Sequence, residues 1–342
     1  MNVWFDLCHI PQYNFYKWVI CRLAEEGNTV FVTVLDRGKL IKIVNKEIGH
    51  LANIHIFVIG KHRSKKWSAI IDANLIRNIK LIRWAKGRNI DIGFSNGYQL
   101  ALVGWLKRFP TYSFDDDPQT FDYWPKILLN TECNYCIYHY DRKLSPKAHI
   151  LPVLKEWAYL APGYFEPDIS VLDEYGVKPK EYLFMREVSV GTVNYAGQEY
   201  GAVLDIKDRI PAKFKVLFSL EDKSRRDLYP KDWILLREPL KDIHSLMYYS
   251  AGLISSGDSM AREAALLGVP SYYLGIRYDM PANATASEVA ELQNARTIEL
   301  SEWIESLIPE STGRINKQEI SRKDISSHFI DINQYILNLC KR

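Results

Sequence analysis

The sequence predicts two α/β domains in one chain, each built on a parallel sheet with helices on both faces. At 342 residues the chain is longer than a single hydrophobic core usually supports. Short β-rich apolar runs alternate with stretches of helical periodicity in both halves, which is typical of parallel sheets. A cluster of prolines and glycines near residue 165 separates the halves and predicts a hinge there.

The first half predicts an N-terminal domain over residues 1–164. Its strands are expected over 3–6, 29–35, 54–59, 90–94, 111–114 and 135–138, and its clearest helices over 13–26 and 69–86. Because helices alternate with strands, consecutive strands are expected to run parallel.

The second half repeats this scheme over residues 165–320. Its strands are expected over 182–185, 215–219, 233–236, 252–255, 271–274 and 297–300, and its clearest helices over 240–249, 259–267 and 302–307. A final helix is expected over 320–339, with apolar residues on one face. We expect the tail, residues 321–342, to pack back on the N-terminal domain.

Composition and cysteine usage favour a folded cytoplasmic protein. The chain is 47% hydrophobic and 25% charged, as globular proteins are. Residues 1–6 lack the basic stretch and apolar run of a signal peptide, and no apolar stretch approaches the roughly 18 residues of a membrane helix. Five cysteines without regular spacing fit a reducing compartment.

The charge is unevenly distributed along the chain. Residues 1–110 carry 17 lysines and arginines against 7 acids, and Asp72 is the only acid within residues 61–88. Two interpretations of this segment stay open: a surface that contacts anionic lipid at the inner face of the membrane, or a solvated helix face. Nucleic acid is not expected as a partner, because no base-reading module accompanies the charge.

The most informative motif follows the predicted strand 252–255. Ser256, Gly257, Asp258 and Ser259 form a turn into a helix, whose unpaired backbone N–H groups and dipole suit a diphosphate. Glu263, about one turn into the helix, is positioned to reach two adjacent ribose hydroxyls. The alternative is an ordinary helix start capped by Asp258 or Ser259.

Ser256-Gly257, Glu263 and the run 264–270 resemble the donor-site motif of GT-B glycosyltransferases such as MurG and of the related UDP-N-acetylglucosamine 2-epimerases. In that motif the glutamate binds the ribose. Residues 4–11 and 155–160 resemble, more closely, a bacterial and archaeal family of the same superfamily. The resemblance spans nearly the whole chain. It implies two Rossmann-like domains whose parallel sheets face across a cleft.

The resemblance also implies two further contacts in a nucleotide-sugar site. Leu240 matches the position that contacts the base through the backbone, and Arg186 matches a basic residue near the nucleotide. The glycine pair common after the first strand of the second domain is replaced by residues 186–189, Arg-Glu-Val-Ser. The diphosphate contacts on this side are therefore expected to differ from those of the superfamily.

Acceptor-site candidates follow the strands of the first domain, at the edge where ligand crevices form. His9 is a candidate general base for an acceptor hydroxyl or a partner of the donor phosphate, the alternative being an ordinary polar loop residue. Candidate acceptor-binding residues are Gln12, Asn14, Ser95 and Asn96. MurG-like enzymes carry glycines in the His9 loop, which has none, and no G-x-G-x-x-G motif indicates NAD.

Asp115, Asp116 and Asp117 contain the D-x-D spacing that holds a metal in GT-A enzymes. Because the tandem α/β organisation indicates GT-B, we expect no metal here. Asp116 is a candidate acceptor-site base, and the alternative is a helix N-cap before Pro118. Cys133 and Cys136 have no second ligand pair, which predicts buried thiols rather than a zinc site.

These observations predict a metal-independent, cofactor-free glycosyltransferase. It is expected to move a sugar from a nucleotide-sugar donor, with UDP the favoured nucleotide, to a glycan or lipid-linked acceptor in surface polysaccharide biosynthesis. Two alternatives remain: an enzyme like UDP-N-acetylglucosamine 2-epimerase, and a non-catalytic protein that binds or scaffolds nucleotide sugars.

Overall fold

The computed structural model describes residues 1–61, 75–190, 197–237, 242–290, 292–307 and 311–342, with the side chains of 311–314 left aside. These residues form two compact units. The first unit is Met1–Tyr159 with Ile330–Arg342, and the second is Leu160–Phe329. The division falls at residues 159 and 160, a few residues before the hinge expected from the sequence. Residues 330–342 belong to the first unit.

The first unit is built on a seven-stranded parallel sheet. Its strands are β1 (Asn2–Leu7), β2 (Thr29–Asp36), β3 (Ile54–Lys61), β4 (Ile92–Ser95), β5 (Thr111–Asp115), β6 (Glu132–Cys136) and β7 (Ala148–Leu151), in the order β3-β2-β1-β4-β5-β6-β7. Trp4 pairs in register with Phe31 on one side and Gly93 on the other. The edge strand β7 was not predicted, because four residues at a sheet edge give no apolar run.

Helices cover both faces of this sheet. They are α1 (Ile10–Glu25), α2 (Leu40–Ile48), α3 (Arg77–Ala85), α4 (Gln99–Lys107), α5 (Tyr123–Leu129) and α12 (Ile332–Leu339). The strand order reverses between β1 and β4, so right-handed crossovers place α1 and α2 on one face and α3, α4 and α5 on the other. Helix α12 packs against α1, and a short helix, α6 (Trp157–Leu160), follows β7.

The second unit has a six-stranded parallel sheet of the same kind. Its strands are β8 (Tyr182–Glu187), β9 (Lys215–Leu220), β10 (Ile234–Leu235), β11 (Gly252–Ser255), β12 (Ser271–Tyr273) and β13 (Leu292–Asn294), in the order β10-β9-β8-β11-β12-β13. Its helices are α7 (Ile243–Tyr248), α8 (Asp258–Leu266), α9 (Pro281–Val289), α10 (Leu300–Ser306) and α11 (Ser311–His328). The predicted α/β class with parallel sheets is confirmed.

Two predictions at the end of the second unit were wrong. The strand expected over 297–300 is a turn leading into α10, because Thr297 hydrogen-bonds back to Asn294; the strand lies at Leu292–Asn294 instead. The helix expected over 320–339 is two helices. The chain breaks at residues 329–331, where Asp331 accepts a hydrogen bond from the backbone N–H of Gln334 and starts α12.

Each sheet has a switch point where the strand order reverses, between β1 and β4 in the first unit and between β8 and β11 in the second. Loops that leave two neighbouring strands in opposite directions open a crevice at the carboxyl edge of a parallel sheet. Residues 8–9 and 96–98 follow the first pair, and residues 188–190 and 256–257 follow the second. The candidates His9, Asn96, Ser256 and Gly257 therefore lie at the switch points of their sheets.

Candidate functional site

The turn after β11 is joined directly to the loop after β8. Arg186 pairs in register with Ser255, and the Arg186 carbonyl accepts the Ser256 N–H at 3.0 Å. The buried Ser256 hydroxyl accepts the Val188 N–H at 2.9 Å. Ser256 therefore shapes the turn, with both its N–H and its hydroxyl engaged inside the protein. The side-chain oxygen of Ser255 accepts the Gly257 N–H at 3.0 Å.

Helix α8 starts without a side-chain cap. Gly257 occupies the N-cap position with extended backbone and caps no N–H group, and Asp258 is the first helical residue. The interpretation of Asp258 or Ser259 as the cap is therefore wrong. Asp258 instead accepts the Ser259 N–H at 2.9 Å through Oδ1. The first turn of α8 thus combines the helix dipole with a carboxylate, an arrangement that is stabilising at a helix N-terminus.

Two arginines balance the buried Asp258 carboxylate. Its Oδ2 lies 2.9 Å from Nη1 of Arg277 and 3.6 Å from Nη1 of Arg262. The Arg262 side chain is 2% exposed, whereas that of Arg277 is 27% exposed. Of these two cations, Arg277 is the one that solvent reaches. Local spacing does not reveal the contact between Arg277 and Asp258, because Arg277 lies in the loop after β12.

Glu263 lies one turn further along α8. Its Oε1 is 3.4 Å from Nε2 of His244 on α7, and both side chains are mostly buried. The His244 ring also makes an edge contact with Phe165, with ring centroids 6.2 Å apart. The sequence signal for His244 was its place just after Leu240, which lies outside the described residues.

Arg186 reaches an acid of the neighbouring strand. Its guanidinium donates to the Ser219 hydroxyl at 2.9 Å and pairs with the Glu221 carboxylate. The other oxygen of Glu221 accepts the Ser189 N–H at 2.8 Å. Glu221 therefore holds the loop after β8 in place, and it partly neutralises Arg186. The sequence signal for Glu221 as a site residue was its position directly after β9, at the same sheet edge as Arg186.

A buried acid, Glu187, holds the start of the loop after β8 in place. Glu187 is 1% exposed, and its Oε2 accepts the Val203 N–H at 2.8 Å and the Tyr229 hydroxyl at 3.1 Å. Burial raises the pKa of the Glu187 carboxyl. Gln198 adds a bond from its Nε2 to the Ser256 carbonyl at 2.9 Å. These buried contacts fix the backbone on which Arg186 and Ser256 lie.

In the first unit, His9 is the N-cap residue of α1. Its carbonyl accepts the N–H groups of Gln12 and Tyr13 at 3.2 and 3.3 Å. Nδ1 of the ring is buried and has no hydrogen-bond partner among the described residues. Burial, assisted by the charges of Lys155 and Arg37, lowers the pKa of His9 to about 3. The imidazole is therefore neutral at pH 7.

Asp116 is held by a lysine. Its Oδ1 lies 3.0 Å from Nζ of Lys155, which is also 3.9 Å from Asp115. Burial raises the pKa of Asp115, which pairs with Lys126. The N-cap interpretation of this segment is wrong, because the next helix starts only at Tyr123. Lys155 was missed as a site residue, although it lies in the stretch 155–160 that carried the resemblance.

The four acceptor-binding candidates differ in what their side chains do. Oε1 of the buried Gln12 accepts the Cys8 N–H at 2.6 Å, and the Ser95 hydroxyl donates to the Gly97 carbonyl at 2.9 Å. Both residues thus shape loops. Asn14 is half-buried on α1. Oδ1 of Asn96 is buried without a hydrogen-bond partner among the described residues, so it can accept a bond from a ligand.

No known protein-family profile matches the sequence. One relative is Uncharacterized protein MJ0665 of Methanocaldococcus jannaschii, which is 22% identical over 306 residues, covering 79% of this chain and 81% of that protein.

Solved structures match the whole chain. UDP-GlcNAc 2-epimerase from Neisseria meningitidis, bound to UDP-GlcNAc, is 14% identical with a TM-score of 0.63, covering 100% of both chains. The spinosyn rhamnosyltransferase SpnG, complexed with spinosyn aglycone, is 11% identical with a TM-score of 0.65, covering 99% of this chain and 100% of the other. MurG from Acinetobacter baumannii is 14% identical with a TM-score of 0.54, covering 99% and 98%. The chain has the GT-B fold.

Within the GT-B fold, the residues assigned by resemblance can be located. Arg186 and the turn 256–257 lie at the switch point of the second sheet, and Asp258, Ser259 and Glu263 lie on α8. Cys133 and Cys136 are buried thiols, as predicted. Among the described residues, no cluster of His, Cys, Asp and Glu side chains could hold a metal ion.

The basic segment 61–88 is described only at residue 61 and from residue 75. Arg77 in this segment does not lie on an exposed face. Arg77 is 2% exposed and forms a bidentate ion pair with Asp6, with N–O distances of 2.9 and 2.6 Å. Lys80, Arg83 and Lys86 are exposed. In the described parts of this GT-B chain, no helix is long and apolar enough to span a bilayer.

Proposed function

We propose that the protein is a glycosyltransferase that uses a nucleotide-sugar donor, with UDP the favoured nucleotide. The observation that carries this proposal is the head of α8, where Arg262 and Arg277 lie beside Asp258 and Glu263 follows one turn later. A helix N-terminus with an accessible arginine suits a diphosphate, and an acid one turn further suits the hydroxyls of a ribose. Solved proteins of the same fold are bound to UDP-GlcNAc and to thymidine diphosphate.

In this proposal the second unit binds the donor. The N-terminus of α8, from Gly257 to Ser259, holds the diphosphate through the helix dipole, and Arg277 stabilises the negative charge that develops as it leaves. Arg186 contributes from the neighbouring loop. Glu263 binds the ribose hydroxyls, and Leu240 contacts the base. No metal is needed for this charge stabilisation, because arginines and the helix dipole supply it.

The first unit would bind the acceptor near His9. Of the two candidate bases, His9 fits better, because its imidazole is neutral at pH 7 and Nδ1 is unpaired, whereas Asp116 is held by Lys155. An anionic substrate would offset the charges of Lys155 and Arg37 and raise the pKa of His9, making it a stronger base. Asn96 would accept a hydrogen bond from the acceptor.

We propose a glycan or lipid-linked molecule in surface polysaccharide biosynthesis as the acceptor. The exposed Lys80, Arg83 and Lys86 support contact of segment 61–88 with an anionic membrane at its inner, cytoplasmic face. A protein held there would meet a lipid-linked acceptor directly. Transfer from a nucleotide sugar to lipid extracts, compared with transfer to water-soluble glycans, distinguishes the two acceptor classes.

Thermal shift against UDP-, GDP-, CDP- and dTDP-sugars tests donor binding, because a ligand that binds the native state raises Tm. We expect UDP-sugars to raise Tm most. Glu263→Gln should raise the donor Kd about ten- to hundredfold, since hydrogen bonds to a charged group contribute about 1.5–3 kcal/mol. The matched control is Glu305→Gln, at an exposed position on α10. The proposal is wrong if no nucleotide sugar changes Tm, or if Glu263→Gln binds as the wild type does.

An epimerase acting on UDP-N-acetylglucosamine is the second candidate, favoured by the match to an epimerase over the full length of both chains. Incubation with UDP-N-acetylglucosamine alone separates the two, because only an epimerase converts it without an acceptor. A non-catalytic binding or scaffolding role is the third. It would be supported if His9→Ala and Glu263→Ala both left cellular function intact.

A further inference from the structure

Exposed apolar side chains concentrate on one face of the first sheet. Among the described residues, nine of the fifteen exposed large hydrophobic side chains lie on α3, α4 and α5 or directly before α3 and α5. They are Leu75, Ile76, Ile79, Ile82, Trp105, Leu106, Phe121, Trp124 and Leu128. The three helices pack side by side. We call these residues the α3–α5 surface; an apolar patch of this kind usually marks an interaction site.

The three aromatic members of this surface are strongly exposed. Phe121 is 91% exposed, Trp124 is 66% exposed and Trp105 is 64% exposed. Side chains with an apolar body and, for tryptophan, one polar N–H suit the boundary between water and lipid. If this surface faced only water, these three large rings would stay mostly exposed.

The three helices of the α3–α5 surface carry only positively charged side chains. Lys80 and Arg83 on α3 are exposed, as is Lys86 directly after it; Lys107 at the end of α4 and Arg108 directly after it are exposed too. None of the three helices contains an acidic residue. The acids that lie between the helices in sequence are engaged elsewhere: Asp91 with Asn2, Asp115 and Asp122 with Lys126, Asp116 with Lys155, and Asp117 with Gln119.

A shallow groove joins two of these helices. It has a volume of about 400 Å³, and Trp105 and Leu128 line it together with Arg108 and Lys147. Lys147 donates to the Asn130 carbonyl at 3.1 Å, which fixes the ammonium at the groove. Apolar walls with two cations match a lipid, whose acyl chain and phosphate require both.

We propose that the α3–α5 surface docks the protein on an anionic membrane. Its aromatic and aliphatic side chains enter the boundary layer, and its lysines and arginines contact headgroup phosphates. This deepens the membrane contact in the proposed function by extending it from segment 61–88 to α4 and α5. A second copy of the chain fits poorly, because a two-fold contact would set the same cations against each other.

Vesicle co-sedimentation of the full chain tests the proposal. Vesicles of phosphatidylcholine alone are compared with vesicles that also contain phosphatidylglycerol, at low and high salt. We expect at least about tenfold stronger partitioning to the anionic vesicles, lost at high salt, because Lys and Arg charges near an anionic surface are screened by ions. Equal binding to both vesicle types, or none to either, overturns the proposal.

Variants show which surface is responsible. Trp105→Ser with Trp124→Ser, and separately Lys80→Gln with Arg83→Gln, should each weaken partitioning about tenfold or more. Ile320→Ser is the matched control, because Ile320 is 67% exposed and lies in the second unit. Circular dichroism melting verifies that each variant is folded. Unchanged partitioning of the folded surface variants overturns the proposal, as does a concentration-dependent dimer that the tryptophan changes abolish.

Donor binding by the same variants separates this proposal from the proposed function. We expect the surface variants to retain the wild-type thermal shift with UDP-sugars, because none of their substituted residues belongs to the donor site. A wild-type protein that binds anionic vesicles but no nucleotide sugar would overturn the proposed function and leave the docking surface standing.

Discussion

At the scale of single residues, the carboxylate of Glu221 would compete with the diphosphate of the proposed donor for Arg186. It pairs with Arg186 and accepts the Ser189 N–H, and these are two donors that a phosphate at this loop would use. The side chain is 38% exposed, so solvent weakens its hold on Arg186. A donor diphosphate can therefore displace it at small cost.

Removing the charge of Glu221 should tighten donor binding. Partly exposed ion pairs contribute about 0.2–1 kcal/mol, so we expect Glu221→Gln to lower the donor Kd about two- to fivefold. Isothermal titration with a UDP-sugar measures the change. Glu181→Gln is the matched control, because Glu181 is exposed and precedes β8, at the opposite edge of the same sheet. An unchanged or weaker affinity for Glu221→Gln contradicts competition for Arg186.

Residues close in sequence were easier to predict than pairs brought together by folding. The turn 256–259 and Glu263 stand out because the helix start and the acid lie within eight residues. Arg277, His244 and Lys155 reach their partners from other elements, so local spacing carries no information about them. The Asp258 carboxylate at the head of α8 illustrates the consequence: its local sequence indicates a cap, whereas its nearest cation in the structure is the distant Arg277.

At the scale of elements, a buried ion pair joins the end of β1 to α3. Asp6 accepts two bonds from Arg77 and one from the Thr33 hydroxyl at 2.6 Å, while Arg77 also donates to the Ile59 carbonyl at 3.2 Å. The contact therefore spans three strands and a helix. Because β1 leads directly to His9, the ion pair also fixes the start of the candidate acceptor loop.

Breaking this pair should destabilise the first unit strongly. Arg77→Met leaves the Asp6 carboxylate buried without its charge partner, at a cost of about 3–5 kcal/mol in the free energy of unfolding. Replacing both, as Asp6→Leu with Arg77→Met, removes the uncompensated charge and should cost less than the single change. Urea unfolding followed by tryptophan fluorescence measures both variants. A double variant less stable than Arg77→Met would contradict this account.

Central strands were predicted closely, because strands buried on both faces appear in sequence as continuous apolar runs. This holds for β1, β8 and β11. The edge strands β3 and β10 were predicted as well, whereas the edge strands β7 and β13, of four and three residues, were missed. The apolar residues Ile298 and Leu300 produce a strand-like pattern in the sequence. In the structure they pack on the core, Ile298 from a turn and Leu300 from the start of a helix. Periodicity alone cannot separate these cases.

At the scale of the whole molecule, the chain forms most of the first unit, then the second unit, and residues 330–342 complete the first unit. Helix α12 is attached to the first unit by specific contacts: Nδ2 of the buried Asn333 donates to the Ala158 carbonyl at 2.7 Å, and the Tyr335 hydroxyl donates to Asn134 at 3.3 Å. The Tyr335 ring also meets Phe114 edge-on at 6.3 Å. The amphipathic tail was visible in the sequence, but its partners were not, because they lie some 200 residues earlier.

Truncation after Phe329 should therefore damage the first unit and spare the second. It removes the buried Ile332, Ile336, Leu337 and Leu339, whose lost burial is worth roughly 1.5–3 kcal/mol each, an upper bound that approaches the stability of a whole domain. Hydrogen exchange should show lost protection in β1 and α1 and retained protection in β11 and α8. Because the proposed donor site lies wholly in the second unit, the truncated chain should still bind the UDP-sugar with a Kd within about threefold of wild type. Lost protection in both units would show that their stabilities are coupled and that the division at residue 160 is not one between independent folding units.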